Sequence, residues 1–403
     1  MDPLQQFLPA WPLAVPPLAW VAVLLLAAIL AGEAVRRYLR SSRILGYLTV
    51  GALLGPSVGG VVDSGTVGPL RIFVDIAVGM LLFELGQRID LAWLRRNPSL
   101  LAASLLEASL TFALVFLAMG WFGLRPVAAT AAGLLAVATS PAVVMTVIKD
   151  LRAQGQVTER VTLFTALNTT YAVVGLSLMV GWLHFESDHS PATMVLHPLY
   201  LVAGSLLLAG VLAMAMLSLL RLFGRRPAFQ FSATVSLVLL TVAMATMLQL
   251  SVPLALLLLG LAGRQFDRER HFVSLKFGET AMLFIVLLFA LTGASLEFAG
   301  MAAAMPAALG FIAARLVGKM LPIVLLSNAS GLALRKSALV GLGLTPMSGL
   351  SLLILHELII RSPLLAAEIG PAMFLAITLL AFAGPQLTEL ALRRAGEAAE
   401  EMP

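Results

Sequence analysis

The sequence predicts an all-α, polytopic membrane protein of about 13 transmembrane helices, and three observations carry that prediction. Hydrophobic residues make up 60% of the 403 and charged residues only 12%, about half the charged share of soluble domains. Apolar runs of about 20 residues follow one another with connections too short to hold an extramembrane domain. The lysines and arginines fall in alternate connections rather than throughout the chain. With a mean hydropathy of +0.98, residues 1–403 are expected to form a single transmembrane domain.

In chain order, the first window is Val15–Val35. The segment before it, Met1–Pro12, carries no basic residue, so it lacks the n-region of a cleavable signal peptide and the window reads as a retained helix. Ile44–Val62, Leu70–Gln87 and Leu100–Phe122 follow. The glycine-rich stretch Gly51–Gly60 lies inside the second window, where small residues let helices pack closely. Val127–Ile148, Val161–Trp182 and Val195–Leu222 come next, then Phe231–Leu248 and Val252–Gly263, parted by the polar triplet Gln249–Ser251. Thr280–Gly300, Ala303–Ser327, Ser337–Ile360 and Leu364–Leu392 complete the set.

Charge tests this count. One set of alternate connections holds 21 of the 26 basic residues, among them Arg36, Arg37, Arg43, Arg95, Arg96, Lys149, Arg152, Lys336, Arg393 and Arg394. The other set holds three: Arg71, Arg125 and Arg361. Positive charge stays on the cytoplasmic side, so the expected topology is N-terminus outside and C-terminus cytoplasmic in a bacterial inner (plasma) membrane. Only Arg315 and Lys319 lie inside a span, where an unshielded charge costs at least about 3 kcal/mol, so both should face protein or water.

The same residues exclude several function classes. A pI near 10 would suggest nucleic acid in a soluble protein, but here the basic residues belong to topology and the partner is the lipid bilayer. There is no cysteine, hence no disulfide, thiolate metal site or cysteine nucleophile. His184, His189, His197, His271 and His356 show no metal spacing and map to loops or span ends. No phosphate loop, dinucleotide fingerprint or nucleophile constellation is present, so neither a cofactor, a bound metal nor an enzymatic activity is expected.

Two windows carry a polar, proline-bearing interruption at mid-membrane. These are Ala138-Thr139-Ser140-Pro141 in the fifth and Leu344-Thr345-Pro346-Met347-Ser348-Gly349 in the twelfth. Proline removes a backbone donor and clashes with the preceding turn, while neighbouring hydroxyls can satisfy the freed groups. The breaks lie seven windows apart, so the two helices run in opposite directions. That spacing implies an inverted repeat, residues 15–182 and 231–392, joined by a linking helix at 195–222. Paired interrupted helices at corresponding positions point to a transporter's binding site at the crossing; ordinary proline kinks are the plainer reading of either break alone.

These motifs resemble the monovalent cation/proton antiporter superfamily, in the branch that includes Kef-type potassium efflux systems and bacterial sodium/proton exchangers. Arg43-Ile44-Leu45-Gly46-Tyr47 through Gly51-Ala52-Leu53-Leu54-Gly55-Pro56 is similar to that family's second helix, and Gly79–Gly86 to its third. The two breaks fall on its broken helices and Gly384-Pro385 on its last helix. The resemblance implies alternating access by a core moving against a panel, and a homodimer formed through that panel. It implies secondary transport of Na+ or K+ coupled to protons by antiport, and leaves open a regulatory nucleotide-binding subunit.

The resemblance also exposes a departure. Where such antiporters carry an aspartate in the helix after the first break, this chain has Asn168, Thr169 and Thr170, and its sixth window contains no Asp or Glu. Threonine can offer oxygen to a cation but does not titrate. The three residues are read either as part of the ion path with Thr139, Ser140 and Thr345 or as small polar packing residues. Lys319 sits where some relatives pair a lysine with the aspartate. Glu107, in the fourth window, either neutralises Lys319 or Arg315 or is the titrating group the sixth window lacks. Cation affinity would then be nearly flat with pH unless Glu107 or Lys319 takes over. Glu84 and Asp75 are read as wetted span-end carboxylates. Loss of the usual aspartate also admits a uniporter, a channel, a carrier of another solute, or a non-transporting sensor on the same fold.

Overall fold

The computed structural model of the chain describes residues 17–39, 42–60, 76–87, 89, 91–188, 191–223, 227–266, 279–294, 301–348, 350–352, 354–355, 358 and 363–399. Among these residues every regular element is a helix. Asp75, Gly349, His189, His271, His356 and the N-terminal segment lie outside the described residues.

Helix α1 (Pro17–Ala34) runs into a π-helical turn at Val35–Leu39. Helix α2 (Arg43–Leu54) begins where the Ser42 hydroxyl accepts from the Ile44 amide, and it stops well before Val62 because Gly55-Pro56 ends it. Helix α3 (Ile76–Gln87) and the short α4 (Leu91–Arg96) precede α5 (Pro98–Trp121). The fifth window divides into α6 (Pro126–Val137) and α7 (Pro141–Asp150). Two 33-residue helices follow, α8 (Gln156–Asp188) and α9 (Pro191–Phe223), with His184 and His197 near the facing ends of the two. The Gln249 break is realised: α10 (Pro227–Met247) ends before it and α11 (Val252–Phe266) begins after it, with Gln249 itself at φ 53°. Helices α12 (Glu279–Ala294), α13 (Met301–Leu325), α14 (Leu334–Gly343) and α15 (Pro363–Arg394) complete the order, with helical residues resuming at 350 after the second break.

Seven helical segments among the described residues are long and apolar enough to cross a membrane, and four shorter apolar helices accompany them. Their contacts fall into two groups, which we term core and panel, joined where α8 lies against α9. The core has α5 lying along α13, with α6 and α7 on α8, α7 also against α15, and α14 against both α13 and α15. The panel has α2 on α1 and α12, and α9 on α10 and α11. Two panel contacts depend on missing side chains. A Cβ at Gly51 would strike the Ala290 backbone and one at Gly293 the Leu48 backbone, where α2 crosses α12. Gly86 meets Leu257 and Gly260 meets Phe83 in the same way, where α3 crosses α11. Such backbone-to-backbone approach is how helices gain contact without a hydrophobic driving force between them.

The chain's last described segment folds back on the core. The Glu397 carboxylate accepts from the amides of Val157 and Thr158, at 2.9 and 2.8 Å, and from the Thr158 hydroxyl. It thus caps the start of α8 from outside that helix. Ala399 donates to the Leu151 carbonyl and Gln154 to that of Glu397, fastening the tail to the loop between α7 and α8.

Candidate functional site

The two breaks meet. Ser140 donates its amide to the Pro346 carbonyl at 2.9 Å, and its hydroxyl lies 2.5 Å from that of Ser348. The Thr139 hydroxyl donates to the Leu344 carbonyl at 3.2 Å. Locally each break follows from sequence. Pro141 occupies the first turn of α7, where its missing amide costs nothing, and Ser140 caps that helix by accepting from the Val143 amide. The Thr345 hydroxyl turns back to the Leu342 carbonyl, and it is the Ser348 hydroxyl that meets that of Ser140.

Ending α6 and α14 in the membrane leaves carbonyls with no helical partner. Two cations of α13, one turn apart and therefore on one face, occupy them. Arg315 donates Nε to the Ala136 carbonyl at 3.0 Å and one terminal nitrogen to Thr345 at 2.6 Å. Its other terminal nitrogen serves both Ala138, at 2.9 Å, and Leu344, at 3.2 Å. Lys319 donates to the Val137 carbonyl at 2.8 Å and pairs with Glu107 Oε1 at 2.7 Å. All three charged side chains are fully buried. The negative ends of both half-helices are therefore met by fixed positive charge.

Lys319 and Glu107 come together, and of the two partners considered for Glu107 the structure selects Lys319. Oxygen Oε1 of Glu107 also accepts from Thr111 at 3.4 Å, whereas Oε2 has no hydrogen-bond partner among the described residues. Asn168 is fully buried, and neither its amide nitrogen nor its oxygen has a protein partner there. Because buried polar groups are nearly always satisfied, this carboxamide is a candidate for holding an ion or water. Thr169 lies beside the first break: its hydroxyl donates to Thr165 at 2.8 Å and stands 3.5 Å from the Thr139 carbonyl. The hydroxyl of Thr170 is bonded to Ala166 within its own helix and the residue is only half-buried, which sets it apart from the site.

Between the crossing and the panel lies a small cavity. Ser140, Ala142 and Ser348 line it from the core, and Leu81, Leu82 and Leu288 from α3 and α12. Glu84 corrects the sequence reading: it does not rest in water alone but is paired with Lys149, with 12% of its side chain still accessible. Arg315 is absent from the candidate set that the sequence suggests, because its partners are carbonyls and carbonyls leave no mark in a sequence. The available signal is its spacing, one helical turn before Lys319.

The sequence and fold have known counterparts. Residues 21–393 match the model of the family described as sodium/hydrogen exchanger, transmembrane. No curated protein matches the chain in sequence. Among solved structures, the sodium proton antiporter MjNhaP1 from Methanocaldococcus jannaschii at pH 8 is similar with a TM-score of 0.66 and 17% identity, over 94% of this chain and 95% of that one. An electron-microscopy map structure of the same antiporter gives a TM-score of 0.70 at 16% identity, over the whole of both chains.

Proposed function

The chain belongs to the transmembrane sodium/hydrogen exchanger family, and on that premise we propose that it exchanges a monovalent cation, Na+ or K+, for protons across the membrane. The observation that carries the mechanism is the fully buried Lys319–Glu107 pair, 2.7 Å apart at the end of α6. Charge bookkeeping at the crossing gives the coupling. With Lys319 protonated, Arg315, Lys319 and Glu107 sum to one positive charge, which repels a second cation. Loss of the Lys319 proton leaves the site neutral and frees a Glu107 oxygen and the Val137 carbonyl. A cation entering there restores the same net charge. Proton and cation thus occupy the site by turns, one for one, without an aspartate at Asn168–Thr170 of α8. Asn168, Thr139, Ser140 and Thr169 supply neutral oxygens along the path, and Thr345 contributes its carbonyl through Arg315.

Cation-dependent transport in proteoliposomes between pH 6 and 8 tests this. Exclusive binding makes apparent cation affinity fall about tenfold per pH unit below the titration point, and Glu107→Gln and Lys319→Gln should each flatten that slope. A slope that survives both substitutions overturns the assignment of the proton carrier.

A second reading has its own observation. The sixth window has no carboxylate, and the Thr169 and Thr170 hydroxyls are turned onto their own helix, which favours uniport, another solute or a sensor role. Cation flux without proton movement supports uniport; neither flux supports the sensor. We further infer an inverted repeat over 15–182 and 231–392 and a homodimer through the panel. The arginine-rich end would face the cytoplasm of a bacterial inner membrane. The second- and third-helix motifs favour the Kef-containing branch and, with it, a nucleotide-binding regulatory partner.

A further inference from the structure

The seam between core and panel is closed at its arginine-rich end in two layers. In the outer layer three ion pairs straddle it, each with one partner on either body. Lys149, at the end of α7, pairs with Glu84 of α3. Arg43, opening α2, lies 3.8 Å from Asp150, the last residue of α7. Arg36, after α1, reaches Glu389 of α15 at 3.2 Å. Two of these bridges are braced on their own body: Arg43 by Glu33 at 3.2 Å and Glu389 by Arg393 at 2.8 Å. Beneath them, Tyr47, Leu48 and Phe289 of the panel share one apolar cluster with Val144, Ile148 and Leu151 of the core.

We propose that these pairs and the apolar layer under them form a clasp that seals the arginine-rich mouth of the seam, so that the cavity beside Ser140 opens to that side only when the pairs part. The proposal rests on the reading in which the core moves against the panel. Its logic is one of exposure. Side chains of the Lys149–Glu84 pair remain 31% and 12% accessible, so water can take over each partner as the bodies separate. Singly such pairs bias an equilibrium weakly; three that must break in one movement bias it together. Lys319–Glu107 cannot act this way, since both partners belong to the core.

The cysteine-free chain permits a direct test. Ala142 lines the cavity, and Ala142→Cys reports access to it through its rate of labelling by a membrane-impermeant maleimide applied from the arginine-rich side. Neutralising the three carboxylates (Glu84→Gln, Asp150→Asn, Glu389→Gln) should raise that rate about tenfold, and Glu84→Gln alone about two- to threefold. Exchanging charges, Glu84→Lys with Lys149→Glu, should return it to within about twofold of the parent. An unchanged rate in the folded triple variant overturns the clasp, as does an exchange variant labelled as fast as the triple. Should the triple variant fail to fold, an unchanged rate in Glu84→Gln has the same force. Labelling needs no transported ion: absence of all cation flux sinks the antiport reading while the labelling result still decides the clasp.

Discussion

At the crossing, Lys319 and Glu107 are fully buried, 2.7 Å apart, and both held within the core. At the arginine-rich end, Lys149 and Glu84 are paired with side chains 31% and 12% accessible, and they lie on opposite sides of the seam. The same chemistry is placed in two dielectric settings. A buried pair has no water to replace a lost partner, so its charges are fixed to one another and to the carbonyls they cap. A pair at the water boundary loses little on separation and can part repeatedly. Under the proposed exchange, charge that changes its proton sits in the first setting; under the proposed clasp, charge that changes its neighbour sits in the second.

The largest effect expected under this comparison is at Arg315. Arg315→Met removes the guanidinium from four carbonyls at the ends of two half-helices, leaving Leu344 only its bond from Thr139, and should destabilise the solubilised protein by about 5 kcal/mol or prevent its folding. Arg315→Lys, which reaches fewer acceptors, should recover part of that loss in thermal unfolding followed by size exclusion. A stable Arg315→Met protein would break the comparison, because buried charge would then be dispensable.

Next in size is Glu107. Glu107→Leu alone strands Lys319 and should cost about 3 kcal/mol. Glu107→Leu with Lys319→Met removes both charges and should be clearly more stable than the single variant while still failing to couple protons to cations. Additive losses in the same unfolding measurement would mean that the two residues do not act as a pair.

Legibility in the sequence divides along the same line. Both breaks could be read because proline beside hydroxyl residues is conspicuous within an apolar run; their opposite direction is an expectation from the count of windows. Lys319 and Glu107 stood out because charge is rare in a span. Arg315 and Ser348 gained their roles only in three dimensions, since their partners are backbone atoms or a hydroxyl more than 200 positions away. Glu84 was misjudged because its position near a span end suggests water, and nothing local reveals the lysine that α7 brings to it. Glu397 lay in a tail whose composition reads as solvated, yet it caps α8.

That cap predicts an intermediate effect. Glu397→Ala should cost about 1–2 kcal/mol, the range for losing a helix N-cap, because two amides and a hydroxyl lose their acceptor together. Gly155→Ala should act through the same contact: Gly155 sits at φ 150°, and a Cβ there would run into the Glu397 side chain. The combined variant should therefore cost less than the sum of the two, a sub-additivity that thermal unfolding of all three proteins can read. Full additivity would show that the tail and the loop are stabilised separately.

The smallest expected change in stability is at the clasp, and its smallness is what sharpens the contrast. Glu84→Gln removes a partner from Lys149 at a partly accessible site, so water can replace the carboxylate, and the unfolding free energy should move by less than about 1 kcal/mol. Salt provides the second arm. Screening length falls from about 10 Å at 0.1 M to about 3 Å at 1 M, so raising the salt weakens the partly exposed pairs and leaves Lys319–Glu107 nearly untouched. Labelling of Ala142→Cys from the arginine-rich side should then accelerate with salt in the parent and much less in the triple-neutral variant, which has no pairs left to screen. The unfolding temperature of the parent should stay almost constant over the same series. If Glu84→Gln instead costs about 3 kcal/mol, the pair is bound into the fold as tightly as Lys319–Glu107 is. The seam at that end would then be a fixed contact, and movement of core against panel would have to open elsewhere.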